Sequence, residues 1–450
     1  NHPHSNCNGN SCCGSPLQWP YHPLDLHSHF FNEMLAHSDA QGSSASSATG
    51  SAAIAAEVSS SGDTAGPPNV NGSFQDLLCE CVCAVTQGHW QRSIQLINIL
   101  SQRASPLGDS TERVVSHFVD SLAGRIVSAL GESQVMSQLV APRLQALDNI
   151  TTPLLDEDIQ AAFLFFNQVS PFLIFSHLTA NQAILEAMQG WEAVHIVDME
   201  IMQGVQWPPL LQALAEREGG PPRVRISGVG QNAGLLAQTG SRLTTFAASL
   251  GLPMFEFHSI HITNSNSLGD LNAAMLETRP GEALAINCMP QLRCMCEYQS
   301  QAMFVSLVSS VQPTIITIAE RETNYNQGSC QERFKEAFQH YAALFESLEA
   351  MLPPSSTERR GVENVLLKGE IRSVVAAREG NVIENPYSKW REVLRENGFN
   401  ARQHSGFALS QARLLLRLRY PSEGYSLQEE ADCLLLGWQH TPLFGVSAWS

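Results

Sequence analysis

The stretch Ala193-Val-His-Ile-Val-Asp-Met-Glu-Ile-Met-Gln-Gly-Val-Gln-Trp-Pro-Pro209 constrains this chain more than any other part of it. Val194, Ile196 and Val197 make an apolar, β-branched run of the length an interior parallel strand needs. Asp198 and Glu200 follow at its carboxyl end. Trp207-Pro208-Pro209 then opens a helix with proline where the missing N–H is least costly. A buried strand, a polar turn and a helix start in immediate succession specify an α/β unit, and in open α/β sheets ligands bind at that carboxyl edge.

The pattern repeats downstream. Strands are predicted at Val224 to Ile226, Met254 to Phe257, Ala283 to Asn287 and Thr314 to Ala319, with helices at Pro208 to Glu218, Leu235 to Leu250 and Ala302 to Val311 between them. Right-handed crossovers wrap such units into a doubly wound, mostly parallel, Rossmann-like sheet. Upstream, Leu77, Leu78, Cys81, Ala84 and Val85 follow a helical stripe, and Val115, Phe118, Val119, Leu122 and Ile126 repeat it after a Pro-Leu-Gly-Asp turn, with Ser110 or Asp109 as the cap. These helices are expected to form an N-terminal α-helical cap. Between Gln160 and Gly190 the text reads helix, proline break, helix. Gln331 to Leu352 is one long helix with Phe334, Phe338, Tyr341, Phe345 and Leu348 on one face, stopped by Pro353-Pro354. Residues from Gly424 to Trp449 read as antiparallel strands that extend the sheet.

Residues 1–70 are rich in Asn, Ser, Gly, Ala, Pro and His, too poor in apolar side chains to offset ordering, and are expected to be a disordered low-complexity arm. Its aromatic patch, Trp19-Pro-Tyr21 and Phe30-Phe31, is a candidate partner-binding element. Net charge is −17, so most of the surface repels phosphate backbones. The first basic residue is Arg92, the only lysines are Lys335, Lys368 and Lys389, and no dense basic run marks a nuclear import signal. No apolar run approaches the length of a membrane span. The visible N-terminus is too polar for a secretory signal, so a cytosolic or nuclear chain with reduced thiols is expected. Among the 11 cysteines, neither Cys79, Cys81 and Cys83 nor Cys288, Cys294 and Cys296 has the paired spacing of a zinc site.

The opening stretch closely resembles the VHIID motif of the GRAS family of plant-type transcriptional regulators, with Val197 in place of the second isoleucine. Further blocks follow in family order. Ala104-Ser-Pro-Leu-Gly-Asp-Ser-Thr-Glu-Arg113 resembles the first leucine-rich region, Phe338 to Ala350 the PFYRE region, and Trp438 with Ser447-Ala448-Trp449 the SAW block. Gly369 stands where the family usually has arginine before Glu-Ile, and Asn381 to Pro386 departs from the family's more basic text. The resemblance implies a GRAS domain over 74–450, divided into the first leucine-rich region (74–135), the VHIID region (160–230), the second leucine-rich region (240–272), the PFYRE region (281–377) and the SAW region (380–450), on a methyltransferase-like fold. Family motif residues in this chain are Val194, His195, Ile196, Val197, Asp198, Gln206, Trp207, Pro208, Phe338, Tyr341, Phe345, Trp438, Ser447, Ala448 and Trp449. The block Phe407 to Tyr425, with Leu178 to Leu185, is most similar to the Lateral suppressor branch.

The strand ending in Asp198 and the Gly204 turn are also similar to the first motif of S-adenosylmethionine-dependent methyltransferases, where glycines let backbone approach the cofactor. Met199-Glu-Ile-Met-Gln203 occupies the place of those glycines, and its side chains are expected to fill the cofactor space. His195 reads as a hydrogen-bonded core histidine. Asp198 reads as polar and exposed, capping the next helix or pairing with Arg225. Glu320-Arg321-Glu322 is expected at the same sheet edge, ahead of Asn324-Tyr-Asn326, where an acid/base pair is conceivable without a nucleophile or metal to join it. Arg413, Arg417 and Arg419 are the candidate DNA contacts, the first two sharing a helix face.

The expected function is that of a nuclear regulator or co-regulator of transcription, with no catalytic residues, no cofactor and no metal. It would act as an interaction scaffold on DNA-binding transcription factors and other regulators, touching DNA indirectly and no membrane, with homo- or heterodimers through the N-terminal helices. The branch resemblance adds plant shoot development and lateral-branch (axillary meristem) initiation. The alternatives are a direct sequence-specific DNA binder, and an S-adenosylmethionine-type ligand binder or methyltransferase-like enzyme.

Overall fold

The computed structural model describes residues 70–131, 156–252, 254–263, 271–289, 298–323, 329–377, 386–430 and 432–450, with a few isolated residues between 135 and 139. The expected arm over 1–70, Cys294, Cys296, the Asn324-Tyr-Asn326 text and Asn381 to Asn385 lie outside the described residues, 70 itself excepted.

Three helices open the described chain: α1 (Phe74–Thr86), α2 (Trp90–Arg103) and α3 (Ser110–Leu130). Of the two expected caps for α3 it is Asp109 that works, accepting the Glu112 amide; Ser110 is the first helical residue. Next come α4 (Asp156–Val169) and α5 (Pro171–Ala187), separated by the Ser170-Pro171 break. The alternating region follows as β1 (Ala193–Asp198), α6 (Trp207–Ala215), β2 (Arg223–Gly230), α7 (Ala233–Ser249), β3 (Phe255–His261), the short α8 (Ala273–Leu276), β4 (Ala283–Cys288), α9 (Tyr298–Val311) and β5 (Ile315–Arg321). Every strand and helix expected here is present. A capping box at Ser329 and Glu332 starts α10 (Cys330–Met351), which ends just before Pro353-Pro354. It is followed by α11 (Thr357–Gly361), a π-helix (Val362–Leu367), α12 (Lys368–Ala376), α13 (Tyr387–Glu396), β6 (Ala401–Arg402) and α14 (Gly406–Arg419). Strands β7 (Tyr425–Glu430), β8 (Cys433–Trp438) and β9 (Thr441–Trp449) close the chain.

The sheet runs β3-β2-β1-β4-β5-β9-β8-β7, with β6 beside β9. Its first five strands are parallel, and β9, β8 and β7 extend it antiparallel. This is the doubly wound, Rossmann-like arrangement the alternation predicts, with the switch point between β1 and β4. Alternation along the strands sends Val194, Ile196, Val224, Ile226 and Ala285 to one face, under α5, α6 and α7. Val197, Val229, Ile286, Ile316 and Trp449 go to the other, under α9 and α13.

The stripes of α1 and α3 are buried inside the protein against α10 and α12, in a helical cap that also covers Leu434, Leu436, Phe444 and Val446 of the antiparallel strands. Phe118 is its centre, packed edge-on to Phe334 at 4.9 Å and close to Phe338 and Tyr341. No single described helix is long and apolar enough to cross a membrane.

Candidate functional site

Parallel register sets Asp198 beside Asn287, and Asn287 beside Thr317, so that one polar row crosses β1, β4 and β5 at the switch point. This row is buried. Thr317 Oγ1 donates to Asn287 Oδ1 at 2.9 Å. Asn287 and Gln206 exchange amide hydrogen bonds in both directions, each 3.1 Å long. Gln206 Nε2 also donates to Asn181 Oδ1 at 3.1 Å, and Asn181 Nδ2 returns a bond to the Gln206 carbonyl at 2.7 Å, which ties α5 to the start of α6.

Asp198 is only 3% exposed. Its Oδ2 accepts the Trp207 indole N–H at 2.8 Å, and its Oδ1 accepts Asn287 Nδ2 and the Glu200 amide at 3.3 Å each. The expectation of an exposed Asp198 is therefore corrected: the turn after β1 folds back and Trp207 lands on the carboxylate. It does not pair with Arg225 either. Arg225 faces His195 in the register, nearer the amino end of the strands, and bonds His195 Nδ1 at 3.1 Å, the Glu277 carbonyl at 2.8 Å and Glu282. His195 is a hydrogen-bonded core histidine, its Nε2 2.8 Å from Ser227 Oγ, and burial together with Arg225 pushes its pKa down to about 3, so it is neutral. Burial raises the Asp198 carboxyl to about 6 against its three hydrogen bonds. It raises Glu200 to about 7, with the Asp198 charge adding to the effect.

The turn itself is filled. Ile201 donates its amide to the Val229 carbonyl at 3.0 Å, and its side chain lies where a Cβ on Gly228 would come within 2.7 Å of Cγ2. Thr239 Oγ1 holds the Met202 carbonyl at 2.7 Å, Met202 has φ +43°, and Gly204 turns at φ +71° beside Thr239. A nucleotide-type cofactor needs a bare backbone turn after β1 and an acid at the end of β2 for its ribose. Here the turn carries Ile201, β2 ends on Gly230, and the Asp198 carboxylate is already satisfied by its own chain. These residues do not fit such a group. The cleft that remains over this edge, about 210 Å³, is lined by Glu200, Met202, Gln231, Asn232, Leu235 and Ile159 among others.

Two members of Glu320-Arg321-Glu322 are committed to other elements. Glu320 is buried, Arg321 forms a two-bond pair with Glu370 of α12 at 2.5 and 2.6 Å, and Glu322 accepts the Ser388 amide at 3.0 Å. The remaining motif residues are packing anchors. Phe338, Tyr341 and Phe345 are inside the cap, Trp438 donates to Glu346 at 3.1 Å, and Trp449 donates to Ser447 at 2.8 Å. Ile196 and Ala448 pack on one face of the sheet, Val197 and Trp449 on the other, and Pro208 is buried at the start of α6. The described cysteines, Cys79, Cys81, Cys83, Cys288, Cys330 and Cys433, are free thiols. The cluster Glu430, Asp432 and Cys433 is neutralised by Arg391 and Arg395, both ion-paired to its carboxylates.

Arg413 and Arg417 are exposed on α14, while Arg419 is half-buried and turned off their face. Asn181, Asn287 and Thr317 are members of the buried row that sequence reasoning missed. A polar residue inside each of two apolar strands, Ala-Ile-Asn287 and Ile-Ile-Thr317, was the available signal.

The fold and this row define a Rossmann-like, methyltransferase-like α/β protein whose switch-point side chains are bonded to one another beneath a cleft, carrying a helical cap and an antiparallel extension. The sequence profile of the GRAS domain family matches residues 74–450, and the chain belongs to that family. It is similar to Protein MONOCULM 1 of Oryza sativa subsp. japonica, 40% identical over 84% of this chain and 88% of that one, and to Scarecrow-like protein 18 of Arabidopsis thaliana, 41% identical over 81% and 88%. The crystal structure of SCL7 in Oryza sativa superposes with a TM-score of 0.69 at 32% identity, over 84% of this chain and all of that one. The chain's class is that of a plant transcriptional regulator in development.

Proposed function

We propose that this regulator works in the nucleus as a scaffold or co-regulator that docks on DNA-binding transcription factors, with DNA reached through those partners. The observation that carries the reading is the closed switch point. The place where this fold ordinarily holds a ligand is occupied by Asp198, Gln206, Trp207 and Asn287 bonded to one another, which leaves outer surfaces for function. The net charge of −17 adds to it by repelling duplex from most of the surface. The amphipathic stripes of α1 and α3 are spent on the cap, so any dimer through these helices uses their other faces. The Lateral suppressor resemblance supports a role in lateral-branch initiation.

The test is a pull-down from plant nuclei with the full chain, read for co-purifying DNA-binding proteins, beside duplex binding by the purified chain alone. The scaffold reading expects DNA-binding partners and weak duplex binding without sequence preference. Recovery of none, with tight sequence-specific duplex binding by the chain alone, would replace it with the direct binder. That second reading rests on exposed Arg413 and Arg417, and predicts a steep salt dependence that their substitution flattens. Heat on titration with S-adenosylmethionine would reopen the ligand-binding alternative.

A further inference from the structure

Helix α14 is fixed at both ends. The N-cap Ser405 donates to Glu186 Oε1 of α5 at 2.6 Å, and Tyr420, just past the last turn, donates to the Gln168 carbonyl at 3.0 Å. Ala408, Ala412 and Leu415 are its buried side. The opposite side carries Ser410, Arg413, Leu414, Arg417 and Leu418, all exposed, which successive turns of about 100° per residue gather into one arc. Leu414 is 38% exposed and Leu418 55%, one helical turn apart, and Arg413 and Arg417 make a parallel row beside them. Arg419 falls outside this arc.

Two features of this face decide what it can bind. First, its arginines are unspent. Arg92, Arg113, Arg225, Arg321 and Arg391, whose side chains are largely buried, hold carboxylates, whereas Arg413 and Arg417, exposed like Arg360 and Arg402, have no side-chain ion pair or hydrogen bond among the described residues. Second, the basic row is coupled to an apolar one. A phosphate backbone gains nothing from two leucines between it and the protein, while an amphipathic helix uses both: apolar side chains at i and i+4 cover Leu414 and Leu418, and carboxylates along its edge meet the guanidinium groups. Because the chain carries −17 overall, an acidic segment is repelled from most of the surface and drawn to this face.

We propose that the Arg413, Leu414, Arg417 and Leu418 face of α14 is a docking surface for an acidic amphipathic helix of a partner protein. The proposal rests on the partner-docking reading above and adds the surface and the chemistry of what binds there.

The test uses the full chain and a displayed library of random peptides about four helical turns long. Selection on the wild-type chain is compared with selection on R413E/R417E and on L414S/L418S, all exposed substitutions whose folding is verified by circular dichroism. The expected result is enrichment of peptides with Asp or Glu beside apolar residues at three- and four-residue spacing. Their affinity should fall at least about tenfold on either variant, and peptides with Lys in place of the acids should recover binding on R413E/R417E. Enrichment that is unchanged on both variants, or absent on the wild-type chain, overturns the proposal. So does duplex DNA binding that R413E/R417E abolishes and L414S/L418S leaves intact, which would make the face a phosphate contact. A change of solution mass in the variants would reassign it to a contact between copies. If nuclear pull-down by R413E/R417E still recovers the wild-type partners in full, the surface is wrong and the co-regulator function stands; if the wild-type chain recovers none, it is the function that fails.

Discussion

Glu200 is the residue whose chemistry is most exposed to test. Its folded pKa of about 7 lies above the ordinary 4.5, so the stability it contributes is full below 4.5 and is lost as pH rises through 7. Glutamine copies the protonated form. Glu200→Gln should therefore match the wild-type melting temperature near pH 4.5 and exceed it at pH 8, by about 1–2 kcal/mol in stability once residual solvent and the coupling to Asp198 are allowed for. Equal melting curves at both pH values would show that the carboxyl is not desolvated. The neighbouring lock makes a second prediction. Trp207→Phe keeps most of the ring and removes the donor to Asp198, leaving a buried carboxylate short of one bond, and should cost about 1–3 kcal/mol in chemical denaturation. His195 was legible from its apolar flanks, but Asp198 was not. A terminal aspartate of a parallel strand is normally solvated, and only the return of Trp207 over the turn buries it.

At the scale of elements, a buried ionic cluster ties the cap to its own far end. Arg113 of α3, 2% exposed, bonds Glu363 of the π-helix at 3.1 Å and Glu349 of α10 at 3.0 Å, and Arg359 approaches Glu363 from the preceding turn at 3.7 Å. Removing one partner leaves uncompensated charge in a dry site. Arg113→Ala is expected to destabilise by about 3–5 kcal/mol, measured by urea unfolding, and Glu349→Gln, at the more exposed partner, by less. An equal effect of the two would place the cluster's weight at the rim. The Arg113 pairs were not visible in the text, because their partners are more than two hundred residues apart. The helices themselves were visible. Periodicity, proline and capping residues act within a few positions, and the expected elements from Phe74 to Val311 and Gln331 to Leu352 are present with shifts of only a few residues at their ends.

For the whole molecule, the helical cap is not a detachable module. The apolar sides of α1 and α2 share one core with Phe334, Phe338 and Tyr341 of α10 and with Leu434 and Leu436 of the antiparallel strands. Deleting residues 74–103 should therefore expose a large apolar surface and give a chain that binds a hydrophobic dye and aggregates, followed by dye fluorescence and light scattering. A monomeric product with an unchanged melting temperature would make these helices an independent appendage. Partner mapping by truncation would confuse lost contact with lost folding, and surface substitutions on α14 avoid that.

The sequence by itself determined the alternation of elements, the parallel core with its antiparallel extension, and the family, because local periodicity and turn chemistry are written in neighbouring residues and the motif blocks stand in order along the chain. The tertiary structure alone decided what the motif at Val194 to Trp207 does. Strand register brings Asp198, Asn287 and Thr317 into one row, and the fold closes Gln206 and Trp207 over it. Hydrogen bonding between residues far apart in the chain is fixed by register and crossover, which no local pattern encodes. An edge that reads as a ligand cleft is in this protein a buried polar lock.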